Sequence, residues 1–365
     1  MKIIISRDAL ATGLQTVLGP TATKQNFPIL SGVKIKTHAN KIDITTTDLD
    51  ITISTSQEAR ILSAGEFVVP MKRFFSIVRE LPAQDVNIEL DKNNLLINCG
   101  KVEFKITTLD KEEFPQIPEP KNQPLIKIES HSLEEAIRLT SFCVGYEDVN
   151  YVLNGILFEI EEKEIRLIAT DGKRLAFVKQ NLPASQADVT SKLSFILPIK
   201  TVNELYRLVK ERSDEVYLFV EENRVGFDLR GTQLIARPIE GEFPNYKQYL
   251  PNEGKDRLTV SRKDFLAALR RASLLAIPEY QGVKIELKKG VVGIYKNTPQ
   301  LGEVSEVLEA VYNGATLEVG FNPLFLIDVL KNIDDEQATF DFFGADKPAV
   351  FRKQGYIYLL LPMKI

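Results

Sequence analysis

Carboxylates in turns are the first residues of this sequence with chemical potential. Asp48 and Asp50 flank Leu49 in Thr47-Asp48-Leu49-Asp50-Ile51, and Asp171 stands in Thr170-Asp171-Gly172-Lys173-Arg174. Close carboxylates can divide acid and base roles or hold a hard divalent cation. The rest of the chain supplies neither chemistry. Two histidines, His38 and His131, and two cysteines, Cys99 and Cys143, stand in no metal-ligand spacing. The sequence therefore offers no catalytic residue, no metal site and no cofactor site. Asp-Gly between apolar runs is a hairpin signal, because Gly172 supplies a positive φ without steric cost. The aspartates read as turn formers, and the cysteines as two free thiols rather than a disulfide.

The elements around those turns set the scale. A chain of 365 residues, 44% hydrophobic and 26% charged, is an ordinary globular composition, long enough for two or three domains. No apolar run approaches the length of a membrane span, and Met1–Leu10 is too short a greasy stretch for a signal peptide. A net charge of −4 gives no bulk argument for nucleic acid.

The order of elements occurs three times. Amphipathic helices open near Ser6, Ser130 and Ser261, starts 124 and 131 residues apart. After each, a glycine precedes an apolar strand: Gly32, Gly155 and Gly282. The second copy is the clearest. Gly155–Glu161, Ile165–Thr170 and Arg174–Val178 read as three strands in series, the last two joined through Asp171-Gly172. A second helix follows in each copy, from Pro70, Pro198 and Phe321, and proline suits a helix start. Closing strands are expected over 86–90, 95–98 and 102–108, over 215–220, 224–228 and 234–237, and over 338–343, 349–352 and 356–361. The reading is α+β: three repeats, each of two helices and roughly eight strands. The third repeat has no acid where Asp48 and Asp171 stand, which argues against a carboxylate site.

Charge is unevenly spread. The segments 6–18, 70–81, 130–143, 198–212, 261–275 and 321–332 carry 14 Lys and Arg against 8 Asp and Glu, a net +6 that leaves −10 for the remainder. A solvated face with pairs such as Lys200/Glu204 explains part of this. Helices gathered on one side of their sheets would also make a positive surface for phosphates. An enzyme is the minority reading, and a peptide-binding adaptor is a third class.

Seven stretches, in this order over the whole chain, resemble the bacterial sliding clamps, the β subunits of DNA polymerase III. They are Phe27-Pro28-Ile29-Leu30, Thr47-Asp48-Leu49-Asp50, Arg73-Phe74-Phe75, Tyr151-Val152-Leu153-Asn154-Gly155, Ala169-Thr170-Asp171-Gly172-Lys173-Arg174-Leu175, Glu242-Phe243-Pro244-Asn245-Tyr246 and Leu361-Pro362-Met363-Lys364-Ile365. The resemblance implies three clamp domains, 1–120, 125–250 and 251–365, each with two helices packed on antiparallel sheets. It further implies a head-to-tail homodimer closing a six-domain ring, with helices lining the hole. The function implied is cytoplasmic and non-catalytic: the ring encircles duplex DNA without reading sequence and tethers the polymerase, which gives processivity.

The resemblance also assigns sites. A hydrophobic groove for short peptide motifs of the replicative polymerase α subunit, the clamp loader, other polymerases and repair proteins would take Leu153, Thr170, Gly172, Lys173, Arg174 and Leu175 from the second repeat. Pro244 and Tyr249 would come from the joint, and Leu360, Leu361, Pro362 and Met363 from the tail. DNA contact falls to Lys24, Arg73, Arg79, Tyr151, Lys200 and Arg207. The loop near Tyr151 departs from the family pattern, with Glu147 in place of a neutral amide and Val152 in place of a second aromatic. At the dimer interface, Phe104 and Ile106 would meet Leu274 and Leu275, with Arg73 facing Glu306.

Overall fold

The computed structural model describes residues 1–21, 27–117, 126–145, 150–184, 189–210, 214–221, 223–251, 254 and 256–364; Lys24 and Glu147 lie outside them. Two compact units divide the chain, one of residues 1–131 with 203–238 and one of 132–202 with 239–365.

Six α-helices stand among the described residues: α1 Arg7–Thr16, α2 Met71–Glu80, α3 Ser130–Thr140, α4 Ile199–Val209, α5 Arg262–Ser273 and α6 Pro323–Asn332. Each runs straight out of a strand, Lys2–Ser6, Glu66–Pro70, Ile126–Glu129, Val189–Pro198 and Asp256–Ser261 among them. The switch is made by the residue between. Ser6 accepts a hydrogen bond from the Ala9 N–H at 3.2 Å, and Ser261 one from Asp264 at 3.4 Å, so a free N–H of the first turn is satisfied. The strands ahead of α1, α3 and α5 are not among those expected from the sequence. They are short, and their alternation (Ile3 and Ile5 buried, Ile4 half-buried) passes for the approach to a helix.

The helices bury the stripes their spacing implies. Leu10 and Leu14 of α1, Phe74 and Val78 of α2, Val202, Leu205 and Val209 of α4, and Leu326, Val329 and Leu330 of α6 are all at most 2% exposed, so each helix is fixed by one apolar face. In the first unit α1 packs on α2, and in the second α5 packs on α6.

Antiparallel sheets carry the repeat. The first unit holds a five-stranded and an eight-stranded sheet, the second a twelve-stranded sheet. In the eight-stranded sheet, Ile51–Glu58 of the first repeat pairs with Thr232–Ala236, the last strand of the second. In the twelve-stranded sheet, Arg174–Asn181 of the second repeat pairs with Tyr356–Leu360, the last strand of the third. The same seam is thus made twice. Its two halves recur once more without each other. Val102–Thr107, the last strand of the first repeat, is an outer strand of its sheet. Gly302–Tyr312 of the third repeat meets Asp256–Ser261 only through Ala310–Tyr312, which leaves 302–309 open on that side among the described residues.

The turns at Asp48 and Asp171 share one construction. It is not the two-residue hairpin turn expected of Asp171-Gly172. Thr170 pairs with Leu175, so four residues form the loop. The Thr170 hydroxyl donates to the Arg174 carbonyl and accepts from the Gly172 N–H at 3.1 Å, while Asp171 Oδ1 accepts from the N–H of Lys173 and of Arg174, each at 3.0 Å. Thr47 and Asp48 make the equivalent bonds to Leu49, Asp50 and Ile51. The side chains thereby satisfy the loop's backbone, and one residue alone takes a positive φ: Gly172 at 80°, and Leu49 also at 80°. An L-residue there is strained by about 1 kcal/mol. An added Cβ at Gly172 meets nothing within 4 Å, so only the backbone term applies. Gly172→Ala should therefore lower unfolding free energy by about 1 kcal/mol, while Leu49→Gly should leave it level or raise it. Urea denaturation of the two variants measures both; a loss at Leu49→Gly comparable to that at Gly172→Ala would contradict the shared strain.

Candidate functional site

The second unit joins an acidic turn, a strand end and the C-terminal stretch, and Arg174 is what they share. Its Nε donates to Asp171 at 2.9 Å, one terminal nitrogen to Asp328 of α6 at 2.6 Å, and the other to the Phe142 carbonyl at 2.5 Å. The guanidinium lies 4.4 Å from the Phe325 ring centroid. The residue is 9% exposed. Burial works against its charge, but neighbouring Cys143 and Tyr358 together with the Asp328 and Asp171 carboxylates outweigh burial and push its pKa further up, so the guanidinium stays charged. Cys143 lies close by; burial pushes its thiol pKa well up, and both cysteines are free.

The chain after Leu360 is pinned from alternate sides. Leu361 N–H donates to the Lys173 carbonyl at 2.9 Å, and Met363 N–H to the Gly320 carbonyl at 2.9 Å. Pro362 between them has no N–H to place. Leu361 keeps 43% of its surface exposed, with Pro362 and Met363 half-buried. Beneath lies a compact apolar floor of Val152, Leu153, Leu157, Ile168, Leu175, Ile196, Tyr246, Val350 and Leu359, with Phe243 and Leu250 packed against it. Tyr246 is fastened there through its hydroxyl, which donates to Glu159 at 2.7 Å; Lys192 reaches the other carboxylate oxygen at 3.0 Å. Burial raises the Glu159 pKa, but the Tyr246 and Lys192 bonds outweigh it and hold the carboxyl below its ordinary value.

Most of the expected groove residues are gathered here: Leu153 and Leu175 in the floor, Thr170, Gly172 and Lys173 in the turn, Leu361, Pro362 and Met363 in the tail. Pro244 is half-buried and Tyr249 is 58% exposed. Two differ in role. Arg174 is consumed by its carboxylates and positions the turn rather than facing outward. Leu360 is fully buried with Tyr356 and Tyr358 on one face of its strand; Leu359, on the other face with Ile357, belongs to the floor. Strand alternation through 356–360 carries that signal in the sequence. Val152, read as a missing aromatic, is a floor residue. Asp328 and Phe142 have no local sequence cue.

The basic residues fare unevenly. Arg73 and Arg79 are exposed on α2 and form no ion pair among the described residues, though Arg79 lies 5.8 Å from the Phe75 ring centroid. Lys200 is exposed on α4, and Tyr151 is 57% exposed. Arg207, read as free for phosphate, is instead engaged: it donates to Glu204 at 2.8 Å and to the Thr16 carbonyl at 2.7 Å, capping the C-terminus of α1. The residues expected at the dimer interface sit on the two open strands or beside them. Phe104 is 39% exposed on the outer strand, with Ile106 buried at 8%. Leu274, the cap of α5, is 82% exposed, and Leu275 is half-buried. Glu306, expected opposite Arg73, is held within the chain by Arg271.

Three family models match in succession: DNA polymerase III beta subunit, N-terminal domain, over residues 1–118; central domain, over 127–245; and C-terminal domain, over 247–364. A beta sliding clamp of Proteus mirabilis is 31% identical over 378 residues, covering all of both chains. The crystal structure of the DNA polymerase III subunit beta from Pseudomonas aeruginosa superposes with a TM-score of 0.95 at 29% identity, covering all of both chains. A sliding clamp from the same organism bound to griselimycin gives 0.94 at 29% identity, again with full coverage.

Removing Arg174 should cost more than the bonds themselves, because Asp171, its side chain 17% exposed, keeps its charge with little water to replace the guanidinium, whereas Asp328 is partly solvated. Arg174→Met should lower unfolding free energy by about 3 kcal/mol, and Asp328→Asn by about 1 kcal/mol. Chemical denaturation of each variant checks the ratio; equal, small losses would mean the network is incidental.

Proposed function

The chain belongs to the DNA polymerase III beta subunit family, the bacterial sliding clamps, and from that membership we propose how its own residues close the ring, hold DNA and receive partners. The protein is a non-catalytic clamp that encircles duplex DNA and gives the polymerase processivity. Tethering achieves this by raising the local concentration of polymerase at the primer end, with no bond made or broken by the clamp.

Two copies join head to tail through the open strands. The observation that carries this reading is the seam already made twice within the chain, whose two halves recur at Val102–Thr107 and at 302–309, each open on the side where its seam partner would lie. An open strand edge of that length is a liability unless covered. Pairing the two across copies repeats the seam and closes six domains, taken as 1–120, 125–250 and 251–365 in each chain. Phe104 and Ile106 of one copy then pack on Leu274 and Leu275 of the other. With Glu306 held by Arg271, the pairing of Arg73 with Glu306 is an exchange of partners rather than the capture of a free acid.

DNA lies against the basic helix faces, with Arg73, Arg79 and Lys200 towards phosphates, and Tyr151 and Lys24 as further contacts. Arg207 contributes by positioning α1. Such contacts carry no base information, so the ring slides. Partners use the groove over Leu153, Leu175 and Leu361; the replicative polymerase and the clamp loader are the partners meant. The protein acts where the chromosome is, in the cytoplasm. Among the described residues no helix is long and apolar enough to cross a membrane.

Three measurements test the assignment. Leu274→Asp combined with Phe104→Glu should give a monomer by sedimentation, its helical content unchanged; a persistent dimer would place the joint elsewhere. Clamps loaded on nicked circular DNA should be retained and then lost on linearisation, which separates a ring from an adaptor. Arg73→Glu, Arg79→Glu and Lys200→Glu together should shorten retention, most at low salt, and lower the salt slope by about one per contact removed. Unchanged retention would remove these residues from the phosphate surface.

A further inference from the structure

Register aligns the three repeats residue by residue across one sheet face. Two places after the opening glycine stand Lys34, Leu157 and Lys284. Across the strands this row reads Val68, Lys34, Thr45 and Ser54 in the first repeat. It reads Ile196, Leu157, Ile168 and Phe177 in the second. In the third it reads Gly320, Lys284, Tyr295 and Ser305. After its last strand, each repeat returns to the head of its own row. Leu109 N–H donates to the Val68 carbonyl at 2.7 Å, Ile239 to Ile196 at 2.8 Å and Met363 to Gly320 at 2.9 Å.

Beyond those anchors the repeats diverge. The sequence contains Glu-Phe-Pro twice, at 113–115 and 242–244. The first puts Phe114 on Ile29, Leu30 and Val68, with the Lys34 ammonium 5.9 Å from its ring centroid. The second puts Phe243 and Tyr246 on the floor of Val152, Leu153 and Leu157. The equivalent place in the third repeat is an open cavity of about 890 Å³, lined by Tyr280, Gly282, Lys284, Tyr295, Glu303 and Met363. Tyr280 stands where Leu30 and Leu153 stand and is 50% exposed. Gly320 stands where Val68 and Ile196 fill the floor. Lys284 occupies the position of Lys34, its ammonium 4.9 Å from the Tyr295 ring. The rim is held by Lys296, which donates to the carbonyls of Tyr280 at 2.6 Å and Gly282 at 2.8 Å.

We propose that this cavity is a second docking site on the clamp, taken by an extended Glu-Phe-Pro-type segment of a protein partner, whose aromatic ring lies beside Lys284 as Phe114 lies beside Lys34. The chain's own usage identifies the occupant: at both other copies of this place, an extended segment with a phenylalanine before a proline is what fills it. The site goes beyond the groove reading and does not depend on it. Met363 borders both, so one partner can span them. The cavity opens on the sheet face, to which Tyr295 and Ser305 alternate, and a strand added at the edge in dimer closure leaves that face open.

The probe is a fluorescein-labelled peptide of the chain's own residues 112–117, Glu-Glu-Phe-Pro-Gln-Ile, titrated against the full-length dimer by fluorescence polarisation. Saturable binding is expected, weakened at least about tenfold by Lys284→Ala and by Tyr280→Ala, the loss of roughly one cation–π or stacked-ring contact. Leu361→Ala in the groove should leave it unchanged, and a peptide with alanine for phenylalanine should not bind. Lys284 and Tyr280 lie at the surface, and sedimentation of each variant confirms the dimer. Absence of saturable binding overturns the proposal. So does binding lost with Leu361→Ala but indifferent to Lys284→Ala, which would assign the peptide to the groove and leave the groove reading intact.

Discussion

Arg174 carries a full charge in a place water hardly reaches, and the arrangement around the groove depends on that charge being satisfied. Three acceptors from three segments converge on one planar fork: a turn carboxylate, a helix carboxylate and the carbonyl of Phe142 in a 3-10 turn. Lysine has a single charged point and could not serve all three at fixed angles. The consequence is positional. The turn holding Arg174 also presents the Lys173 carbonyl to the Leu361 N–H, so the exposed Leu361-Pro362-Met363 stretch inherits its place from a buried ion network. A surface apolar tail is ordinarily a liability. Here its backbone is already fixed at Leu361 and Met363, and under the proposed function that lowers the ordering cost of binding.

The first repeat shows what the same backbone does without that charge. Its turn has the same side-chain bonds, and Arg237 N–H donates to the Asp50 carbonyl at 3.1 Å where Leu361 meets Lys173. Ile51 stands in the place of Arg174. The row beneath is Lys34, Thr45 and Ser54 in place of Leu157, Ile168 and Phe177. One fold, copied, therefore yields a polar face in one repeat and an apolar groove in the next. The backbone geometry is common to the repeats, and the side chains of one row decide which copy presents an apolar surface.

That division also explains how much was legible in sequence. Repeat period, helix stripes and the paired turns are local patterns, and local patterns survive in a single sequence: Gly32, Gly155 and Gly282 stand at matching places because the backbone requires the same strand start. Contacts between distant segments leave no such mark. Arg207 looks like any exposed helical arginine, yet it caps α1, whose Thr16 carbonyl lies 191 residues earlier. Asp328 gives no sign of its bond to Arg174, 154 residues away. Leu359 and Leu360 were separable in principle by alternation, but a run of three leucines hides its phase unless Tyr356 and Tyr358 are counted with it.

Charge on a sliding protein faces two opposed demands, and the helices divide between them. A guanidinium already bound to a carbonyl or carboxylate holds structure and attracts phosphate weakly; one left in water does the reverse. Arg138 and Arg262 are of the first kind, bound to the carbonyl of Asn332 and to those of Leu330 and Asp335 respectively, as is Arg207. Arg73 and Arg79 on α2 are of the second. Fewer free cations than the raw helix count suggests is what sliding requires: each phosphate contact adds affinity but also friction, and a closed ring keeps its hold by topology rather than by charge. Hydrogen bonds to neutral carbonyls leave these charges in place, so the net +6 of the helical segments is undiminished; what differs among the arginines is which of them would have to give up a partner to reach a phosphate.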